Sequence, residues 1–189
     1  MEIRDARLED ALAGTQVLRR SILELCVADH RNDPAILARW LSNKTPEMFM
    51  SWLAQPGNSV LVALEDGHVL AVGSVTDAGQ INLNYVSPDA RFRGVTRALL
   101  CALELRAMER GNQRCVLIST ETARRFYHAN GYAETGPPVG EFGTVAGYPM
   151  QKWLGDATAQ APHPAERQHP PAPASPPDSA PAPADRDPV

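Results

Sequence analysis

Apolar residues recur at helical spacing through the N-terminal third of the chain, crowd into β-rich runs between 59 and 86, and return to helical spacing after Val95. Glu2–Ala6 reads as a short first strand. Asp10 is placed to cap a helix whose stripe runs through Val17, Leu18, Ile22 and Leu25. Pro34 starts a second helix containing Ile36, Leu37, Trp40 and Leu41. Thr45 with Pro46 starts a third, with Phe49, Trp52 and Leu53 on its apolar side. Ser59–Leu64 and His68–Val75 are strands joined by Glu65-Asp66-Gly67, a hairpin signal. The Ala78-Gly79 turn leads to a third strand, Gln80–Val86. On it Asn82 and Asn84 share one face with Val86, while Ile81, Leu83 and Tyr85 share the other. A long helix follows from Val95 to about Arg110, with Val95, Leu99, Ala102 and Leu103 facing inward, and stops at Gly111-Asn112. Arg114–Ile118 is the next strand, Thr122–Asn130 a helix ending at Gly131, and Tyr132 begins a further strand. A loop rich in glycine and proline, Gly136–Gly147, precedes a last strand from Tyr148 to Leu154. This order predicts an α/β protein of the α+β kind: a mixed, mostly antiparallel sheet with helices packed on both faces.

Composition changes abruptly after Gly155. Residues 156–189 are dominated by proline and alanine and carry no aromatic side chain. Such a segment cannot bury enough apolar surface to offset its ordering entropy, so the expectation is one folded domain over 1–155 and a disordered tail over 156–189. PxxP spacings such as Pro170 to Pro173 fit a solvated spacer. The net charge of −4 is concentrated in that tail, which holds five acids and two arginines. The folded part is therefore close to neutral and lacks the basic surface that nucleic-acid binding needs. No apolar run reaches membrane-spanning length, and Met1-Glu-Ile-Arg-Asp5 is charged where a signal peptide is apolar. Cys26, Cys101 and Cys115 form no CxxC pair and read as buried thiols in a reducing compartment, so a cytoplasmic location is expected. No His, Cys or Asp spacing suggests a metal site.

The chemistry concentrates in Val86-Ser-Pro-Asp-Ala-Arg91-Phe-Arg-Gly94-Val-Thr96-Arg97. This is the end of a strand, an arginine-bearing glycine turn, and the first turn of a helix. Such an arrangement points backbone N–H groups at one spot where the helix dipole adds positive potential, and so makes an anion cradle. Guanidinium groups beside it suit a pyrophosphate better than a lone carboxylate. Downstream lies Ala123-Arg-Arg-Phe126-Tyr127-His-Ala-Asn-Gly131-Tyr132.

Together these segments, in this order, resemble the acyl-CoA signature of the GCN5-related N-acetyltransferases and the same family's A-x-x-F-Y-x-x-x-G-(F/Y) segment. The likeness in element order extends over residues 2–154. It implies the acyl-CoA N-acyltransferase fold and acetyl-CoA as co-substrate. It also implies that Phe92, Arg93, Gly94, Val95 and Thr96 hold the pyrophosphate through their amides, with Arg91 adding charge. Tyr85 and Val86 inherit the backbone role of binding the pantetheine arm and polarising the thioester carbonyl. Tyr127 takes the place of the general acid that protonates the departing thiolate. Two positions depart from the family pattern: Thr96 stands where glycine or alanine is usual, and Thr120 where many relatives have a pantetheine-contacting asparagine.

The implied reaction is direct transfer, in a ternary complex, to a small-molecule or protein amine; no cysteine signature indicates an acyl-enzyme. The rival is a non-catalytic acyl-CoA-binding regulatory module. Asn82 and Asn84 can orient a water that carries off the amine proton, and Glu24, Asp29 and His30 are alternative bases or acceptor ligands in the N-terminal helical region. The acceptor's identity and the oligomeric state stay open, relatives of this kind often being homodimers.

Overall fold

A computed structural model of the chain describes residues 1–140 and 146–155. The tail over 156–189 lies outside the described residues, as does the middle of the Gly136–Gly147 loop. The elements are β1 (Glu2–Asp5), α1 (Ala11–Arg20) continuing into a π-helical turn (Ser21–Leu25), α2 (Val27–His30), α3 (Pro34–Leu41), α4 (Pro46–Ala54), β2 (Asn58–Glu65), β3 (His68–Thr76), β4 (Ile81–Val86), α5 (Val95–Glu109), β5 (Arg114–Ser119), α6 (Glu121–Ala129), β6 (Ala133–Glu134) and β7 (Tyr148–Trp153). The proline starts act as read. Asp33 caps α3 through the N–H groups of Ala35 and Ile36, and Thr45 caps α4 through that of Met48.

The first four strands form an antiparallel sheet in the order β1-β2-β3-β4, and the last three a second one in the order β5-β7-β6. Among the described residues the sheets meet at one parallel bridge, between Gln80 and Val116, where the Val116 N–H donates to the Gly79 carbonyl at 3.0 Å. Beyond that bridge β4 and β5 part, leaving a wedge between their C-terminal ends.

Helices cover both faces of the four-stranded sheet. On one, Leu99, Leu100, Leu103 and Ala107 of α5 pack on Leu61, Ala63, Ala71 and Val75. A Cβ at Gly73 would lie 2.8 Å from the Leu103 side chain, so α5 seats directly on bare backbone there. On the other, Val17, Leu18 and Phe49 pack on Val60, Val62, Val72 and Leu83. A small third cluster of Ile22, Cys26 and Trp40 closes against Tyr85 beside the wedge. Burying these faces supplies the main stabilisation of the domain. Among the described residues no helix is long and apolar enough to cross a membrane.

Three local readings change. Asp10 makes no side-chain cap on α1; its carboxylate turns back to the Arg7 N–H at 2.7 Å and the Arg4 guanidinium at 2.7 and 3.0 Å, because a 3-10 turn, Leu8–Asp10, precedes the helix. Ile81 does not share a face with Leu83: Val75 pairs with Ile81 and Ser74 with Leu83, so Asn82 is an extra, bulged residue and the faces exchange. Ile81 then lies with the α5-side cluster, while Leu83 joins the α1 side. Cys26 and Cys115 are buried but Cys101 is exposed, on the outward stripe of α5 with Arg97 and Leu105.

Candidate active site

After β4, a short 3-10 turn (Pro88–Ala90) anchored by buried Ala90 carries the chain to Arg91. Phe92 (φ 62°) and Gly94 (φ 79°) then adopt left-handed backbone, which rolls the chain into α5. Nothing stands within 4 Å of a Cβ built on Gly94, so glycine serves the conformation there and keeps the approach open. Gly94 offers α5 no side-chain cap, so the first amides of this fifteen-residue helix stay available to an anion. The turn is tied down from outside by an ion pair between Arg93 and Glu65. Arg20 also clamps it, reaching Asp89 at 2.6 and 3.2 Å and Glu24 at 2.8 and 3.2 Å.

The wedge between β4 and β5 continues from this turn as a cleft of about 690 Å³. Tyr85, Val86, Arg91, Phe92, Gly94, Thr96, Thr120 and Tyr127 all line it. Two of the expected coenzyme-binding residues turn their side chains elsewhere. Arg93 is drawn to Glu65, and Val95 is packed in the α5 core. The Tyr85 amide is a further correction. The Ser87 N–H donates to Leu70 of β3 at 2.7 Å. Alternation along the strand then points the Val86 N–H into the wedge and the Tyr85 N–H back toward β3. Tyr85 faces the cleft with its side chain instead, its hydroxyl accepting from the Trp40 indole at 3.3 Å.

Tyr127 projects from α6 into the cleft. Its ring stands edge-on to Phe126 and Tyr132 at centroid separations of 5.3 and 5.4 Å, which fixes it on two sides. Its hydroxyl oxygen accepts a hydrogen bond from Asn84 Nδ2 at 3.4 Å. Burial pushes the phenol up to about 12, the Asn84 contact offsetting this only in part, so the group is protonated at any ordinary pH. A phenol whose oxygen already takes an N–H has its own proton left to give.

The carboxylates near this cleft are engaged. Asp29, fully enclosed between α2 and α6, accepts from the Glu121 N–H at 2.7 Å, the Thr122 N–H at 3.3 Å and the Thr122 hydroxyl. Thr120 completes that cap, accepting from the Ala123 N–H at 3.2 Å. Glu24 is held in the fork of Arg20. His30 is buried, its Nδ1 accepting from the Asn32 N–H at 3.0 Å. None of Glu24, Asp29 and His30 lines the cleft, whereas Asn82 and Asn84 do. Burial also raises the Cys26 thiol to about 12, which makes it a poor nucleophile at neutral pH. Among the described residues no cluster of His, Cys, Asp and Glu is arranged to hold a metal ion.

A model of the acetyltransferase (GNAT) domain family matches residues 26–154. The chain belongs to the GNAT acetyltransferases. Solved structures share the fold of this GNAT domain. A GCN5-related N-acetyltransferase from Rhodopseudomonas palustris is 25% identical, with a TM-score of 0.71 over 80% of this chain and 94% of that one. The PaiA N-acetyltransferase of Thermoplasma acidophilum, determined with coenzyme A, is 18% identical, with a TM-score of 0.69 over 80% and 98%. A phosphinothricin acetyltransferase from Sinorhizobium meliloti, determined with acetyl-CoA, is 22% identical, with a TM-score of 0.61 over 87% and 94%. No curated protein matches this GNAT chain in sequence.

Two arginines of the GNAT cleft escaped the reading of the motifs as binding residues: Arg97, one turn into α5, and Arg125, exposed on α6. The spacing of Arg91, Gly94 and Arg97 carried the first signal. For Arg125 the sequence carried no such signal: it stands two residues before Tyr127, a spacing that does not put two side chains on one helix face.

Proposed function

We propose that this GNAT acetyltransferase moves an acetyl group from acetyl-CoA to an amine by direct transfer within a ternary complex. The amides of the Arg91–Thr96 turn, with Arg91 and Arg97, hold the pyrophosphate. The Val86 N–H serves the thioester end of the co-substrate in the wedge. A neutral amine attacks the acetyl carbon, the carbon–sulfur bond breaks, and the departing sulfur takes the proton of Tyr127. The amine's surplus proton leaves through water ordered by Asn82 and Asn84, and the phenol is then reprotonated from solvent. Because the nearby carboxylates are tied to helix ends and guanidinium groups, the acceptor is drawn from its neutral fraction in solution.

The observation that carries this reading is Tyr127, a buried phenol that holds its proton at neutral pH and faces the same cleft as an uncapped helix N-terminus flanked by arginines. The test is release of free thiol from acetyl-CoA across an amine panel, for wild type and Tyr127→Phe. Loss of a general acid lowers kcat about a hundredfold or more, with KM for acetyl-CoA little changed. Unchanged turnover removes Tyr127 from the chemistry. Tight acetyl-CoA binding without thiol release over the whole panel favours a regulatory acyl-CoA-binding module instead.

A further inference from the structure

The glycine turn carries a second peculiarity, at Phe92. Its side chain is 90% exposed, the most exposed of the large apolar residues on the described surface. It also holds a left-handed backbone (φ 62°), a conformation that bulky side chains rarely adopt. Neither fact serves the core. An exposed phenylalanine contributes no burial, and glycine or asparagine would take that φ with less strain. A strained, exposed aromatic at the lip of a cleft is an outlier that asks for a functional account.

Its surroundings supply one. Phe92 lines the mouth of the cleft beside Arg91, Gly94 and Arg97, next to the amides assigned to the pyrophosphate. The Arg91 guanidinium lies 4.5 Å from the ring centroid, a cation stacked on the aromatic face. That stack orders the ring and leaves its opposite face to solvent. The result is a flat platform, backed by positive charge, one side chain's length from an anion cradle. Heteroaromatic bases stack on such platforms, and a base joined by a short sugar linker to a pyrophosphate seated in the cradle has the reach to do so.

We propose that Phe92, backed by Arg91, is the seat of the adenine base of the acyl-CoA co-substrate. This rests on the coenzyme A reading above and adds to it a side-chain contact that recognises the nucleotide end. The backbone amides of the turn hold phosphate whatever side chain position 92 carries. The ring at 92 distinguishes a donor with adenine from a donor without it. Arg91 then has two duties, charge toward the pyrophosphate and a backing layer for the stack.

The test is direct binding by calorimetry of coenzyme A, dephospho-coenzyme A (adenine present, 3′-phosphate absent) and 4′-phosphopantetheine (no adenosine). It uses wild type, Phe92→Gly and Phe92→Trp. Glycine suits the left-handed backbone, so Phe92→Gly removes the ring while the turn keeps its shape. The expected result is a loss of about tenfold in affinity for both adenine-bearing ligands, none for phosphopantetheine, and retention of affinity in Phe92→Trp. An equal loss for all three ligands, or no loss for any, overturns the proposal. So does a loss for coenzyme A that dephospho-coenzyme A does not share, since the residue would then serve the 3′-phosphate. A wild type that binds none of the three overturns the coenzyme A reading itself and the seat with it.

Discussion

Asp29 gives the sharpest test of how the site is held. It sits in α2, 2% exposed, and its carboxylate takes the first donors of a helix more than ninety residues further along: the Glu121 and Thr122 N–H groups and the Thr122 hydroxyl. In Asp29→Ala those donors lose their partner in a closed environment. An unmet buried donor costs about 1–3 kcal/mol, and the lost carboxylate–dipole attraction adds about 0.3–1 kcal/mol. Allowing the Thr122 hydroxyl to turn to water, the sum is roughly 3 kcal/mol. For a domain of this size that lowers Tm by about 6–12 °C. Asp29→Asn keeps one acceptor oxygen and loses about half as much. Thermal unfolding followed by circular dichroism measures both, and thiol release assayed well below Tm shows whether Tyr127, on the same helix, is also displaced. An Asp29→Ala variant melting within 2 °C of wild type refutes the reasoning. Equal damage from asparagine and alanine refutes the hydrogen-bond count and leaves charge alone.

Other substitutions probe packing and charge elsewhere. A Cβ on Gly14 would lie 2.6 Å from the ring of fully buried Phe49, so Gly14→Ala destabilises by about 1–3 kcal/mol in urea unfolding, despite alanine's better helix propensity. Burial pushes the Lys44 ammonium down to about 8, below its ordinary value of about 10.4, so the fold carries a penalty at neutral pH that fades as pH rises from about 8 to about 10.4. Lys44→Met therefore raises Tm at pH 7 and gains progressively less toward pH 10.5; a gain independent of pH contradicts the assignment. Exposed Cys101 reacts readily with a thiol reagent in the native protein. Cys26 and Cys115, buried and raised to about 12 and about 11, react only after denaturation, so native titration counts one thiol of three.

Most helices and strands were legible, but the π-helical turn Ser21–Leu25 and the four-residue α2 were not, since neither carries a start signal of its own. Pro34, Pro46, Gly94 and Gly131 mark element ends through local backbone chemistry, which a sequence states outright. The bulge at Asn82 depends on how β3 and β4 settle over α5, and period-two alternation passes over it. Asp10 turned to Arg4, a partner drawn in by the β1–β2 pairing rather than by helix-capping rules. At the site, the spacing of Arg91, Gly94 and Tyr127 was enough to gather the cleft's ends. It said nothing of Asp29 capping α6, because that contact joins segments no local pattern connects. Phe92 was legible only as a backbone position; its exposure and the Arg91 stack are properties of the folded turn.

The bridge between Gln80 and Val116 is where pairing of β4 with β5 stops among the described residues. Past it, β4 and β5 each present an unpaired strand edge to the wedge, and such edges are templates for pairing with other chains. The Asn82 bulge and the rings of Phe126 and Tyr127 lie along the cleft between the two edges. An occupant of the wedge shields both at once. Under the proposed function, the co-substrate seated in the wedge therefore also masks the edges at which this chain could pair with another copy of itself.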